Sequence, residues 1–211
     1  MKNYNYYLFD LDGTLIDTVD LICECFRHTA QETENISLTK EEILPNIGLP
    51  LRDQMCLYFG KMTESEYKLK AAYHMCYQEL IYKAYIKCFD GVKDTLSKLK
   101  RDKKQLSVVT SRALFFAEEY LEYTGIYPYF DYLITPELTN RHKPHAEPAL
   151  KAMDLMSAVP EETLLVGDSD HDIECGTRAN IDTAFVMWSH NTLGQLKAKP
   201  TWTINNMYML Q

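Results

Sequence analysis

Four short segments hold most of the residues in this chain that could do chemistry. They are Asp10-Leu11-Asp12-Gly13-Thr14, Val109-Thr110-Ser111, Lys143-Pro144 and Gly167-Asp168-Ser169-Asp170-His171-Asp172. Two carboxylates one residue apart repel: at roughly 4 Å and an effective dielectric near 20, the cost is about 4 kcal/mol. Alternation along an extended segment would aim Asp10 and Asp12 the same way, so something positive is expected beside them. Carboxylate oxygens gathered at one point suit Mg2+, a hard cation. Lysine is a point charge suited to phosphate, and hydroxyls with backbone N–H groups can complete a cradle for its oxygens. Asp10, Asp12, Asp168 and Asp172 carry −4, and a phosphate monoester adds about −2, whereas Lys143 and one Mg2+ return +3. Without metal such a site repels its own substrate, so strict metal dependence is expected.

To act together, these segments must meet at one edge of a sheet, and each follows an apolar run. In open α/β sheets ligands bind at the carboxyl ends of the strands. Tyr6-Tyr7-Leu8-Phe9 reads as a buried strand ending at Asp10, and Leu106–Val109 as one ending at Thr110. Tyr132–Ile134 precedes Lys143, and Thr163–Val166 precedes Gly167. Thr183–Val186 and a final edge strand over Thr201–Ile204 follow. Helices are expected over Val92–Leu99, Ala113–Thr124, Glu147–Met156 and from Ser169 or Asp170 to Ala179. Strands alternating with helices imply a parallel sheet with right-handed crossovers.

One block breaks that rhythm. Asp17–Arg27 carries Val19, Ile22, Cys23 and Phe26 at helical spacing, and Thr39 and Glu42 have the spacing of a capping box. Leu51–Phe59 and Thr63 to about Tyr85 also read as helices, and no strand is evident from Asp17 to about Lys87. The simplest architecture is an α/β core over residues 1–15 and 88–211, with an all-helical cap, residues 16–87, inserted after the first strand.

The bulk properties narrow the partners. The chain has 211 residues, 46% of them hydrophobic, enough for a proper core, and a formal charge of −8. That balance argues against nucleic acid, whose phosphates attract basic surfaces. No apolar stretch approaches the ~20 residues of a membrane span. The N-terminus shows no basic region followed by an apolar stretch, so a cytoplasmic location is expected. Six cysteines occur without a C-x-x-C pair and are expected as free, buried thiols.

Asp10-x-Asp12-Gly13-Thr14, Val109-Thr110-Ser111, Lys143-Pro144 and Gly167-Asp168-x-x-x-Asp172 stand in the order of the four motifs of the haloacid dehalogenase-like superfamily, which the chain resembles over essentially its whole length. The resemblance implies a Rossmann-like α/β core with a type 1 helical cap. Ile47-Gly48-x-Pro50-Leu51, Lys143-Pro144-x-x-Glu147-Pro148 and Val186-x-Trp188 make it similar to the phosphoglycolate phosphatase-like and inorganic pyrophosphatase-like group. Ala146 departs from the proline usual in relatives, and Ser111-Arg112 lies where side chains vary.

The resemblance implies a Mg2+-dependent phosphatase acting on a small phosphorylated molecule, either a phosphoglycolate-like monoester or pyrophosphate. A sugar phosphomutase of the same superfamily is the alternative. Asp10 is the implied nucleophile, forming an aspartyl-phosphate, and Asp12 the general acid and base. The implied metal shell is the Asp10 carboxylate, the Asp12 main-chain carbonyl and Asp168. Thr110, Ser111 and Lys143 bind the phosphoryl group, and Asp172 orients Lys143 or a metal-bound water. Arg52, in the cap, is a candidate substrate contact. Asp170 reads as a helix N-terminal acid, His142 and His171 as polar surface residues, and Arg112 has no assigned role. A monomer or weak homodimer is expected, with neither nucleic acid nor membrane as partner.

Overall fold

The structure is a computed structural model describing all 211 residues. The chain divides into two compact units, residues 1–16 with 87–211, and residues 17–86. Strand β1 (Tyr6–Phe9) opens the first unit, and β2 (Ile16–Asp17) leads into the second.

The second unit is all-helical. Helix α1 (Val19–Glu34) starts two residues later and ends seven residues beyond the span expected from Asp17–Arg27. Asp17 is held in β2, which pairs with β3 (Lys87–Cys88) in a two-stranded ribbon. Strands this short leave no periodic signal, which is why none was expected there. The helix continues because Thr29 and Ala30 prolong its buried face, and it stops where Asn35 turns left-handed at φ 53°. Helix α2 (Lys40–Ile43) begins at a capping box: the Thr39 hydroxyl accepts from the Glu42 N–H, and the Glu42 carboxylate accepts from the Thr39 N–H. Helix α3 (Leu51–Phe59) ends at Gly60, and α4 (Glu64–Tyr85) begins at a second capping box formed by Thr63 and Glu66. Ile22, Cys23, Phe26, Ile43, Ile47, Met55 and Ala71 form this unit's core.

The first unit continues after β3 with α5 (Val92–Arg101), β4 (Gln105–Val109), α6 (Leu114–Tyr123) and β5 (Tyr132–Ile134). Then come α7 (Glu147–Met156), β6 (Thr163–Gly167), α8 (Asp170–Arg178), β7 (Asp182–Val186) and β8 (Trp202–Ile204). Six strands form one parallel sheet in the order β5-β4-β1-β6-β7-β8, the α/β fold expected. Parallel strands are covered on both faces, so β1, β4 and β6 read as nearly continuous apolar runs. Leu8, Val109, Ile134, Ala149, Met153 and Leu165 belong to one buried cluster.

The chain winds first to one side of β1, through β4 and β5, then to the other, through β6 to β8. The order reverses at β1, where such sheets open a crevice. Phe9 lies level with Val108 on one side and Val166 on the other, so the segments following β1, β4 and β6 emerge together.

None of the six cysteines forms a disulfide. Cys23, Cys25 and Cys175 are buried, but Cys56 and Cys76 are exposed and Cys88 is intermediate, which corrects the expectation of uniformly buried thiols. The two exposed ones lie on solvent-facing positions of α3 and α4. No helix is long and apolar enough to cross a membrane.

Candidate functional site

Asp10 is the first residue past β1, and its N–H still donates to the Val166 carbonyl at 2.9 Å, so the sheet fixes its backbone. The chain then turns sharply, with the N–H groups of Leu15 and Ile16 both donating to the Leu11 carbonyl at 3.0 Å. Gly13 makes the turn at φ +76°, and a Cβ there would lie 2.3 Å from Asp168 Oδ2. The turn therefore needs glycine both for its backbone and for the close approach of Asp168.

Past β4, the Thr110 N–H donates to the Ile134 carbonyl at 3.0 Å, and its hydroxyl accepts from the Arg112 N–H at 3.1 Å. Ser111 Oγ is buried and makes no hydrogen bond. Lys143 sits in the loop before α7. That loop is tied down by Glu147, whose carboxylate accepts from the N–H groups of Asn140 (2.7 Å) and Arg141 (3.1 Å). Past β6, a Cβ on Gly167 would lie 2.3 Å from Asp172 Cβ, so the missing side chain lets α8 start against the strand end. Ser169 caps α8, with Asp172 Oδ2 accepting from its N–H (3.1 Å) and its hydroxyl (2.6 Å).

These elements converge on Lys143. Its ammonium donates to Asp10 Oδ1 and to Asp172 Oδ1, each at 2.6 Å, and to the Val109 carbonyl at 3.1 Å. All three protons of the ammonium are thus used, in a buried setting. Oxygens of Asp10, Asp168 and Asp172 all lie within 4.8 Å of one another. Burial, and after it the Asp172 charge, pushes the Asp10 carboxyl well above the ordinary carboxylate range, against the pull of Lys143. The same two causes raise Asp168 to about 7. Burial alone would lower the Lys143 ammonium, but the charges of Asp10 and Asp172 outweigh it and hold the lysine protonated.

A surplus of buried negative charge on hard oxygen donors fits a divalent cation, which would return these carboxyls to their ionised form. Hydrogen bonding separates the three acids. Asp172 has both oxygens engaged, one on Lys143 and one on Ser169. Asp10 is engaged through Oδ1, and Asp168 through Oδ2, which accepts from Ser189 Oγ and, at 3.3 Å, Asn191 Nδ2. The second oxygens of Asp10 and Asp168 are the ones open to a metal.

Asp12 does not share the Lys143 cluster, contrary to the expectation that the two acids face a common cation. Its carboxylate is gripped by Arg112, through Nε at 2.8 Å and Nη2 at 2.7 Å. The guanidinium also lies 4.6 Å from the Tyr120 ring centroid. The turn after Leu11 breaks the alternation that would have kept Asp10 and Asp12 together. Arg112, Ser189 and Asn191 were absent from the expected site. Only Arg112 left a signal, as a cation two residues past Thr110 at a strand end.

The remaining candidates fall elsewhere. Arg52, on α3, pairs with Glu64 at 2.7 Å and lies over Tyr67, held by its own unit. Asp170 accepts from the Lys197 N–H at 2.7 Å and anchors the segment after β7. His142 lies 3.4 Å from Thr139 Oγ1. His171 is half-buried, with Nδ1 unbonded, and burial pushes its pKa down.

Known proteins carry the same pattern. The sequence pattern described as haloacid dehalogenase-like hydrolase matches residues 7–186. The chain is 39% identical to the pyrophosphatase PpaX of Oceanobacillus iheyensis, over 90% of this chain and 87% of that protein. It is 34% identical to the pyrophosphatase PpaX of Bacillus mycoides, over 96% and 93%. A haloacid dehalogenase-like hydrolase from Bacteroides fragilis superposes with a TM-score of 0.90 at 26% identity, over 99% of this chain and all 100% of that one. With its strand-end carboxylates, its buried lysine and its relatives in agreement, the chain belongs to the haloacid dehalogenase-like hydrolases.

Proposed function

We propose that this protein is a Mg2+-dependent phosphatase that hydrolyses a small phosphorylated molecule, a phosphoglycolate-like monoester or pyrophosphate, through an aspartyl-phosphate on Asp10. The observation that carries this reading is the buried Lys143 bridging Asp10 and Asp172 beside Asp168. The names of the relatives in Oceanobacillus iheyensis and Bacillus mycoides support the pyrophosphate branch.

In this reading Asp10 attacks phosphorus and splits one hard step into two. Lys143 holds the Asp10 carboxylate in place and neutralises it, and Asp172 fixes the lysine from the other side. Thr110 and the unbonded Ser111 hydroxyl take phosphoryl oxygens. Asp12 gives a proton to the leaving oxygen and later removes one from water. Asp10, Asp168 and the Asp12 main-chain carbonyl would hold Mg2+, which when bound supplies charge stabilisation on the phosphoryl oxygens. Residues 1–15 with 88–211 serve as the catalytic core and residues 16–87 as the substrate-selecting cap, with Arg52 as a candidate contact.

A panel of phosphorylated compounds including pyrophosphate and 2-phosphoglycolate, assayed for phosphate release with and without Mg2+, tests the proposal. Magnesium-dependent release from at least one is expected. Release from none would overturn it.

A further inference from the structure

We infer that Arg112 is a specificity residue that binds an anionic leaving group, a carboxylate or a second phosphoryl group, by exchanging its Asp12 partner for it. The inference rests on the phosphatase reading and narrows its substrate class. In that reading Asp12 reaches the leaving oxygen, so whatever grips the Asp12 carboxylate stands on the leaving-group side of the phosphoryl site. The structure places a guanidinium there, with Nε and Nη2 presented as a fork to two carboxylate oxygens. Carboxylates and phosphoryl groups match that fork equally well, which a lysine ammonium does not.

The arginine is built in rather than loosely placed. Its side chain and that of Asp12 are only 10% and 13% exposed. Its plane lies over Tyr120, whose hydroxyl is 3.4 Å from Nη1. Its N–H bonds the hydroxyl of Thr110, so the loop that carries the phosphoryl-binding threonine also sets the guanidinium. A neutral leaving group would have to face this cation without satisfying it. An anionic one takes over the fork and frees the Asp12 carboxyl group, which must carry a proton to act as the acid, to turn toward the bridging oxygen.

The test compares 2-phosphoglycolate and pyrophosphate with 2-hydroxyethyl phosphate, a monoester whose leaving group is neutral. The ratio of kcat/KM for each anionic substrate to that for the neutral ester is the readout. Arg112→Gln is expected to lower the ratio about tenfold or more, chiefly through KM, as loss of a charge-assisted pair should. Arg112→Lys keeps the charge and should fall between the two. The substrate whose ratio drops most identifies carboxylate or phosphoryl as the preferred anion. An equal loss on all three substrates would make Arg112 a structural partner of Asp12 only and overturn the inference. So would a wild type that shows no preference for anionic leaving groups while remaining active. A wild type releasing no phosphate from any of the three would instead overturn the phosphatase reading beneath it.

Discussion

Lys143 donates to Asp10 across 2.6 Å, with the two side chains only 4% and 9% exposed. The same ammonium holds Asp172, whose side chain is fully buried. Removing one partner of a buried ionic group strands the others, at a cost of about 3–5 kcal/mol. Lys143→Met is therefore expected to lower unfolding stability by that order and to abolish turnover. Asp172→Asn added to it should recover part of the stability. Denaturant unfolding of both variants checks this, and an undiminished single variant would refute the bridge.

Asp10→Asn keeps the shape and an acceptor for Lys143 but removes the proposed nucleophile. Phosphate release from p-nitrophenyl phosphate with Mg2+ should drop by about a thousandfold or more. Turnover at a tenth of the wild-type rate would remove Asp10 from the nucleophile role.

The raised Asp168 carboxyl, near 7, gives metal-free stability a definite pH slope. In the unfolded chain the same group titrates near its ordinary value of about 3.9. Between those values the folded protein binds more protons than the unfolded one, so stability falls as pH rises from about 4 to 7. Tm in chelator should drop by several degrees from about pH 5 to about pH 7.5. Mg2+ should restore most of the drop at the higher pH and do little at the lower, because the ion binds the charged form. A flat Tm across the window would contradict the burial of uncompensated charge.

Gly13→Ala should damage the proposed metal site without replacing any of its ligands. The added Cβ would meet Asp168 Oδ2 at 2.3 Å on a backbone already at φ +76°. Mg2+ affinity measured by calorimetry is expected to fall by about tenfold or more, as when groups that orient a metal ligand are lost. Unchanged affinity would mean that Asp168 is not a ligand.

Asp168 and its partners mark where sequence reasoning stops. Asp10, Thr110 and Asp168 could be placed because each directly follows an apolar run, and strand ends in a parallel sheet share an edge. Leu51–Phe59 and the capping box at Thr39 were legible because they depend on residues within a few positions. Ile16–Asp17 and Lys87–Cys88 were not, since a two-residue strand has no period and owes its existence to a partner some seventy residues away.

The amino-acid sequence by itself determined the parallel α/β core, the helical insertion and the four strand-end segments, because period, capping and turn chemistry are local properties. Only the tertiary structure decided how the charges divide. Lys143 and Asp10 are 133 positions apart, Arg112 and Asp12 100, and Ser189 and Asp168 21. Pairs so far apart are chosen by where loops leave the sheet, and no spacing in the chain encodes that. The turn at Gly13 separates two acids one residue apart, giving Asp10 to the buried lysine and Asp12 to an arginine beyond it.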